Sequence, residues 1–494
     1  MKHTWLITLL VLNTILLSCT NDREPAPAPT RPKPTNDPPA AFTVEVSDIT
    51  KSTALISWTE ATDPEKDKVT YSVVLDGREL ATDLDSASFV AGELAPETRY
   101  EGYVLAHDPQ KNSARSNFFF TTKSPYTTFS RHYSIGDDAS RTGSLCKTSD
   151  DGYVIAGTTY KPGLDQWIMF VMKIDSVGDE QWKVIHELNI AGEKVAVSET
   201  MDRGFILAAR NFILKTDAKG NVLWKKEILL DCVFSSVIEA SDGSIVVIGE
   251  IGRKKAISQN VTTQALLLKL DAGGNQLWEK RYGSSKYSMG RDIVQTPSGG
   301  FVLLCQTEYS GAEKEESERS IDRDMDFWVI STDPSGNIHW QKTYGDRRYD
   351  FAAKLKATKD GGYVIGGSSW GAYDFSDMRV IRIDGSGSAL LDKSIDNGFS
   401  FQTGSIALTD DGGYALTGYV KSVYDIFFGI YKLDSGGNKE WEHWYGREWE
   451  GSYGVDLLQN PDKGYMVAGY SAAGYFDHSQ VWVLKLDPQG RYEE

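Results

Sequence analysis

Gly290-Arg-Asp-Ile-Val-Gln-Thr296, Pro297-Ser-Gly-Gly300 and Phe301-Val-Leu-Leu-Cys-Gln306 form the stretch on which the fold turns. Two apolar-rich runs flank a Pro/Gly connection so short that only an antiparallel hairpin fits it. After a long loop come Asp326-Phe-Trp-Val-Ile-Ser-Thr-Asp333, a turn at Pro334-Ser-Gly-Asn337, and Ile338-His-Trp340-Gln-Lys-Thr-Tyr344-Gly345. The segment therefore predicts four strands joined by three connections, two of them tight.

Outward from this segment the same unit recurs. The aspartate that opens the last turn returns as Asp175, Asp217, Asp271, Asp333, Asp384, Asp434 and Asp487, seven copies in 368 residues, or about 53 per unit. Seven residues after it comes an outer-strand anchor: Trp182, Trp224, Trp278, Trp340, Leu391 and Trp441. After Asp487 the chain stops at Glu494, before that strand is complete. Phe129-Ser-Arg-His-Tyr133, in front of the first copy, has the spacing of Trp278-Glu-Lys-Arg-Tyr282, so it is expected to complete the last unit and remove an open edge.

Residues 127–494 resemble the seven-bladed β-propeller class. Their Asp-Gly-Gly-Tyr and Lys-x-Asp-x-x-Gly-x-x-x-Trp texture resembles repeats of bacterial and archaeal surface proteins, without the Gly-His and Trp-Asp pairs of WD repeats. The resemblance implies stacked four-stranded blades. Trp167-Ile-Met-Phe-Val-Met172 and Ala265-Leu-Leu-Leu268 agree, because runs without polar alternation belong to strands covered on both faces. The tryptophans are then expected between adjacent blades.

The front of the chain reads differently. Lys2 and His3 precede an uncharged run from Trp5 to Leu17, too short to span a bilayer and of signal-peptide character. Leu16-Leu17-Ser18-Cys19 resembles the lipobox of bacterial lipoproteins, which implies a signal peptide over 1–19 and lipidation at Cys19. Seven of the 16 prolines fall between Pro25 and Pro39, so 20–40 reads as a stiff extended tether. Asp22 and Glu24 resemble the acidic export signal of some Bacteroidetes lipoproteins, which implies an outer-membrane protein facing the cell exterior. Residues 41–123 alternate like strands, with Trp58 and the Leu94-Ala-Pro96-Glu-Thr98-Arg-Tyr100 segment. They resemble a fibronectin type III domain with its core tryptophan and tyrosine corner. The expected fold is thus all-β: a fibronectin type III sandwich, then a seven-bladed propeller closed by its N-terminal strand.

Composition narrows function. With 52 Lys+Arg against 69 Asp+Glu the net charge is −17, which argues against nucleic-acid binding. All but three of the 46 glycines lie after position 126, as a turn-dense β region requires. Cys146, Cys232 and Cys305 show no ligand spacing and read as buried thiols. Asp63, Glu65 and Asp67, like the Asp/Gly turns, read as loop chemistry rather than calcium sites, and no metal or cofactor is expected.

Antiparallel connectivity separates two rims. The first and third connections of each unit are uniformly tight, as at Lys359-Asp-Gly-Gly362 and Asp434-Ser-Gly-Gly437; the second connections and interblade links vary. The variable rim carries Tyr287, Tyr309, Arg347, Arg348, Tyr349, Trp370, Tyr373, Phe375, Tyr424, Trp449, Tyr475 and Phe476. Aromatic rings beside charged groups suit sugars, whose apolar faces stack while their hydroxyls bond. Arg347, Arg348, Trp370, Tyr373, Trp449 and Tyr475 are the candidate ligand contacts for a glycan or a protein partner. Asp374, Asp377, Glu448 and Asp477 could instead supply a glycosidase pair, and His478 a base, for a hydrolase or lyase on the same rim. A structural module of an envelope assembly is the third reading.

Overall fold

The computed structural model describes residues 36–494 except 137, 253–262, 284–286, 309–324, 346–348, 371–375, 397, 423–424, 449, 474–477 and 494. The signal segment, Cys19 and most of the tether lie outside the described residues. The chain divides between Pro125 and Tyr126 into two compact units. Among the described residues the regular structure is strand, apart from one short 3₁₀ turn at Pro162–Leu164, and no helix is long and apolar enough to cross a membrane.

In the first unit, Val44–Ser47, Ala54–Trp58 and Ser88–Ala91 form a three-stranded sheet. Thr70–Leu75, Arg78–Leu84, Arg99–His107 and Ser113–Thr121 form a four-stranded one. Their alternating inward residues meet in one core: Ile56 and Trp58 from the first sheet, Tyr71, Val73, Val104 and Phe120 from the second. The Tyr100 hydroxyl accepts a hydrogen bond from the Ala95 N–H at 2.8 Å. Asp63 Oδ1 accepts from the N–H groups of Glu65 and Asp67, which makes that acidic cluster a self-capped turn.

In the second unit, four-stranded antiparallel groups succeed one another over 140–189, 196–227, 232–282, 288–344, 349–395 and 400–445. A further group combines the three strands of 450–486 with Phe129–Tyr133. That pairing runs antiparallel from Val481 opposite Tyr133 to Lys485 opposite Phe129, as the spacing of the anchors predicted. Single parallel bridges, Met325 to Tyr349 and Ile426 to Gly451, link two pairs of groups, and among the described residues no sheet closes on itself.

Each first strand lies against the next first strand, from Ser140–Lys147 through to Glu450–Gln459, which lies against Ser140–Lys147 again. The first strands therefore surround a common axis. Apolar clusters fill the seams between sheets: Val246 and Ile248 pack with Leu303 and Ile330, and Ile155 and Phe170 with Met466 and Val483. The fully apolar strands are thus buried on both faces.

The Asp-x-x-Gly-x-x-x-Trp spacing has a mechanical cause. Asp271 Oδ1 accepts from the N–H groups of Gly273 and Asn275, and the same bond pattern holds the turns at Asp217, Asp333 and Asp434. The fourth turn residue takes a positive φ, 78° at Gly336. A Cβ there would stand 3.2 Å from the indole of Trp278 on the preceding sheet. One glycine thus serves both the turn and the tryptophan of its neighbour. Trp182, Trp224, Trp340 and Trp441 meet Gly220, Gly274, Gly387 and Gly490 in the same way, and Phe129 meets Gly178.

Candidate functional site

Six of the seven first strands carry a one-residue β-bulge. In the 288–344 sheet, Gly290 faces Cys305 and Asp292 faces Leu304, so Arg291 is the extra residue. Ser235, Ala353, Gly404 and Val455 are its counterparts. A bulge turns its extra residue out of the pleat, and here these five, though not Gly143 of the sixth bulge, line one cavity on the axis, of about 420 Å³.

The wall is aromatic. Tyr287, Tyr349, Tyr419, Tyr453, Tyr470 and Phe351 line it. Tyr453 stacks on Tyr470 at 4.7 Å between ring centroids, and Tyr419 stands edge-on to Tyr453 at 5.3 Å. The Tyr419 hydroxyl donates to Gln402 Oε1. Burial raises the pKa of both the Tyr419 and Tyr470 phenols, so they remain neutral donors and acceptors.

Charge enters at a few points. The Arg291 guanidinium donates to Gln306 Oε1 at 3.0 and 3.2 Å and lies 5.0 Å from the Phe351 ring centroid. Gln306 in turn donates to the Asp350 carbonyl. Glu193, Lys194 and Glu250 complete the polar lining. Lys194 reaches solvent, yet protein surrounds it: burial, and then the neighbouring Lys354 charge, draw its pKa down to about 8.

Near the bulges runs a polar belt. Asp292 accepts from the Ser236 hydroxyl at 2.7 Å on one neighbouring sheet and from the Leu355 N–H at 2.9 Å on the other. Asp456 repeats this with Ser405 and the Leu145 N–H. Lys354 Nζ stands 3.9 Å from the first carboxylate and 4.0 Å from the second.

The lining joins the starts of first strands to the ends of second strands, which is the end where the variable connections lie. Tyr287 and Tyr349, read from the sequence as part of that rim, belong to the cavity. Trp370 does not line it; this half-buried ring stands edge-on to Tyr349 at 6.4 Å and supports the wall from behind. Arg347, Arg348, Tyr373, Trp449 and Tyr475 lie outside the described residues, as do Tyr309, Asp374, Phe375, Tyr424, Phe476 and Asp477. His478 is exposed beside Asp138, and neither it nor Asp377 nor Glu448 lines the cavity. Cys232 and Cys305 are buried as expected, which pushes the Cys232 thiol up to about 12 and the Cys305 thiol up as well, whereas Cys146 is only half-buried. Sequence reasoning missed Lys194, Arg291, Tyr419, Tyr453 and Tyr470. No single sequence signal marks them: Lys194 precedes a first strand, Arg291 and Tyr453 lie on first strands, and Tyr419 and Tyr470 lie near the ends of second strands.

No protein-family model matches the chain, and no curated protein matches it. Similar solved structures are β-propeller proteins. An ulvan lyase of a polysaccharide lyase family has 10% identity over 73% of this chain and 97% of that one, with a TM-score of 0.50. A streptogramin B lyase has 11% identity over 73% and 98%, at 0.45. The β-propeller domain of the Trilobed protease from Pyrococcus furiosus has 8% identity over 72% and 95%, at 0.41. The likeness is one of fold.

Proposed function

We propose that this chain is a lipid-anchored surface protein whose axial cavity binds a glycan without cleaving it. In this reading 127–494 is a seven-bladed β-propeller closed by Phe129–Tyr133, and 41–123 is a fibronectin type III spacer. The cyclic contact of the first strands supports the propeller, and the Tyr100 bond to Ala95 supports the spacer. Cys19 carries the lipid, and the tether holds the domains off the outer face of the outer membrane.

The observation that carries the binding reading is the aromatic wall around Arg291, Lys194 and Gln402. Rings offer flat apolar faces to a sugar, and the polar groups bond its hydroxyls or an acidic substituent. The volume lies within the range of small-molecule sites. Arg347, Arg348, Trp370, Tyr373, Trp449 and Tyr475 would extend contact along the rim, toward a longer glycan or a protein that carries one.

A lyase reading has one observation in its favour: an amine held near neutral pKa can take a proton, and Lys194 lies within the same wall. Glycan-array binding combined with an assay for unsaturated or reducing-end products tests both. Saturable binding without product is expected; product that disappears in Lys194→Met would establish the lyase instead, and no binding to any glycan would sink the proposal.

A further inference from the structure

The seams between sheets share one plan, which four keep, two lose as a matched pair and one breaks on a single side. In the first turn of a sheet the second residue offers its backbone N–H across the seam. Ser149 donates to Glu199, Ser241 to Gln295 and Asp410 to Gln459, each at 2.8 Å, and Met201 donates to Glu239 at 2.5 Å. Two seams have proline at the donor position, Pro297 and Pro461, which have no N–H to offer. Ala357 and Lys147 stand where the acceptor would be. Donor and acceptor are lost together there, and nothing is left unmatched.

The seam between the 349–395 and 400–445 sheets is different. Lys359 keeps its N–H, but Leu408 stands at the acceptor position. The outer anchor of the same seam is Leu391, where the other seams have tryptophan or Phe129. Both departures coincide with a groove of about 360 Å³. Val364, Leu408 and Tyr414 form its apolar side, and Lys359 and Arg382 its polar side. Val364 and Tyr414 belong to the apolar cluster against which Leu391 packs. Arg382 is held by Asp360 at 2.6 Å.

We infer that this groove is a second binding site, for a small ligand that combines an aromatic ring with a carbonyl acceptor. The other seams show what fits: an aromatic ring beside the turn glycine and an acid or amide oxygen on the backbone N–H. A ligand ring lies against Val364, Leu408 and Tyr414 while its carbonyl oxygen accepts from Lys359 N–H. The groove shares no residue with the axial cavity.

Titration of the full chain with indole-3-acetamide and with indole, followed by calorimetry or ligand-observed NMR, tests this. The acetamide is expected to bind saturably and about fivefold more tightly than indole, the worth of one hydrogen bond. Leu408→Gln supplies the missing acceptor and removes the difference between the two probes. Leu391→Trp supplies the ring and abolishes binding of both, and its raised melting temperature shows that it folds. Absence of saturable binding to the wild-type chain overturns the inference, as does undiminished binding in both folded variants.

Discussion

Lys354 Nζ stands 3.9 Å from the Asp292 carboxylate, with its side chain one-fifth exposed and that of Asp292 only 6% exposed. Asp456 lies at nearly the same distance on its other side, so one ammonium stands between two buried acids from different sheets. Burial alone would raise the Asp456 pKa, but Lys354, Lys194, Lys356 and the Ser405 hydroxyl together hold it below the ordinary value.

Lys354→Met should therefore leave two buried carboxylates without their shared cation and destabilise the second unit by about 2–4 kcal/mol. A depressed carboxylate pKa stabilises the fold above the unfolded value and loses that contribution as pH falls through the folded one. Without that cation burial raises the folded-state pKa of Asp456, so the deficit of the variant should be greatest near pH 7 and shrink as pH falls through the carboxylate range. Denaturant melts between pH 3 and 7 check this, and superimposable curves would refute it.

A second acid-sensitive set lies in the first turns. Lys173, Lys215, Lys269 and Lys432 are buried and pair with Asp150, Asp202, Asp242 and Asp411, whose pKa values are about 2. The Lys173 bond is the main cause for Asp150 and the Lys269 bond for Asp242. For Asp202 and Asp411 burial is the largest single influence and opposes the shift, and the lysine, a threonine hydroxyl and a backbone N–H together outweigh it. Melting temperature should hold above pH 4 and fall between pH 4 and 2. The carboxylates are more than half exposed, so solvent screens them and Asp150→Asn should cost only about 1 kcal/mol at pH 7.

In the axial cavity, Arg291→Gln should weaken glycan binding about 10- to 100-fold without changing the fold, because a charge-assisted contact is lost. The Lys194 charge disappears as pH rises through about 8. Affinity should fall between pH 7 and 9 in the wild type and stay level in Lys194→Met. Isothermal titration at three pH values reads both effects.

The turn glycines allow a comparison within one molecule. Gly274→Ala places a methyl in a positive-φ turn and 3.0 Å from the Trp224 indole, the nearest group, and should cost about 3–4 kcal/mol. Gly437→Ala sits at the seam of Leu391, where the nearest atom is the flexible Lys393 Cδ at 3.1 Å, and should cost about 1–2 kcal/mol. Equal losses in thermal melts would mean that the tryptophan contact adds nothing.

Much of the second unit was legible in the chain because its signals are local and repeated. The turn aspartates, the glycine and the tryptophan recur at fixed spacing, since each turn must accept the anchor of the preceding sheet. That spacing also marked Phe129–Tyr133 as the partner of the last strand, although Tyr133 and its partner Val481 stand 348 positions apart. The site was less legible. Aromatic residues on the variable connections drew attention to the end where the cavity lies, and Tyr287 and Tyr349 line it. Trp370 has the same composition signal and supports Tyr349 instead.

Sequence alone determined the strand periodicity, the turn chemistry and the partner of the first strand of the repeat, because hydrogen bonding within a turn and burial of alternate residues act between near neighbours or identical copies. Only the tertiary structure decided that Arg291 and its counterparts face one axis. A bulge shifts register by a single residue, and whether that residue meets solvent, core or a shared cavity depends on sheets that are remote along the chain.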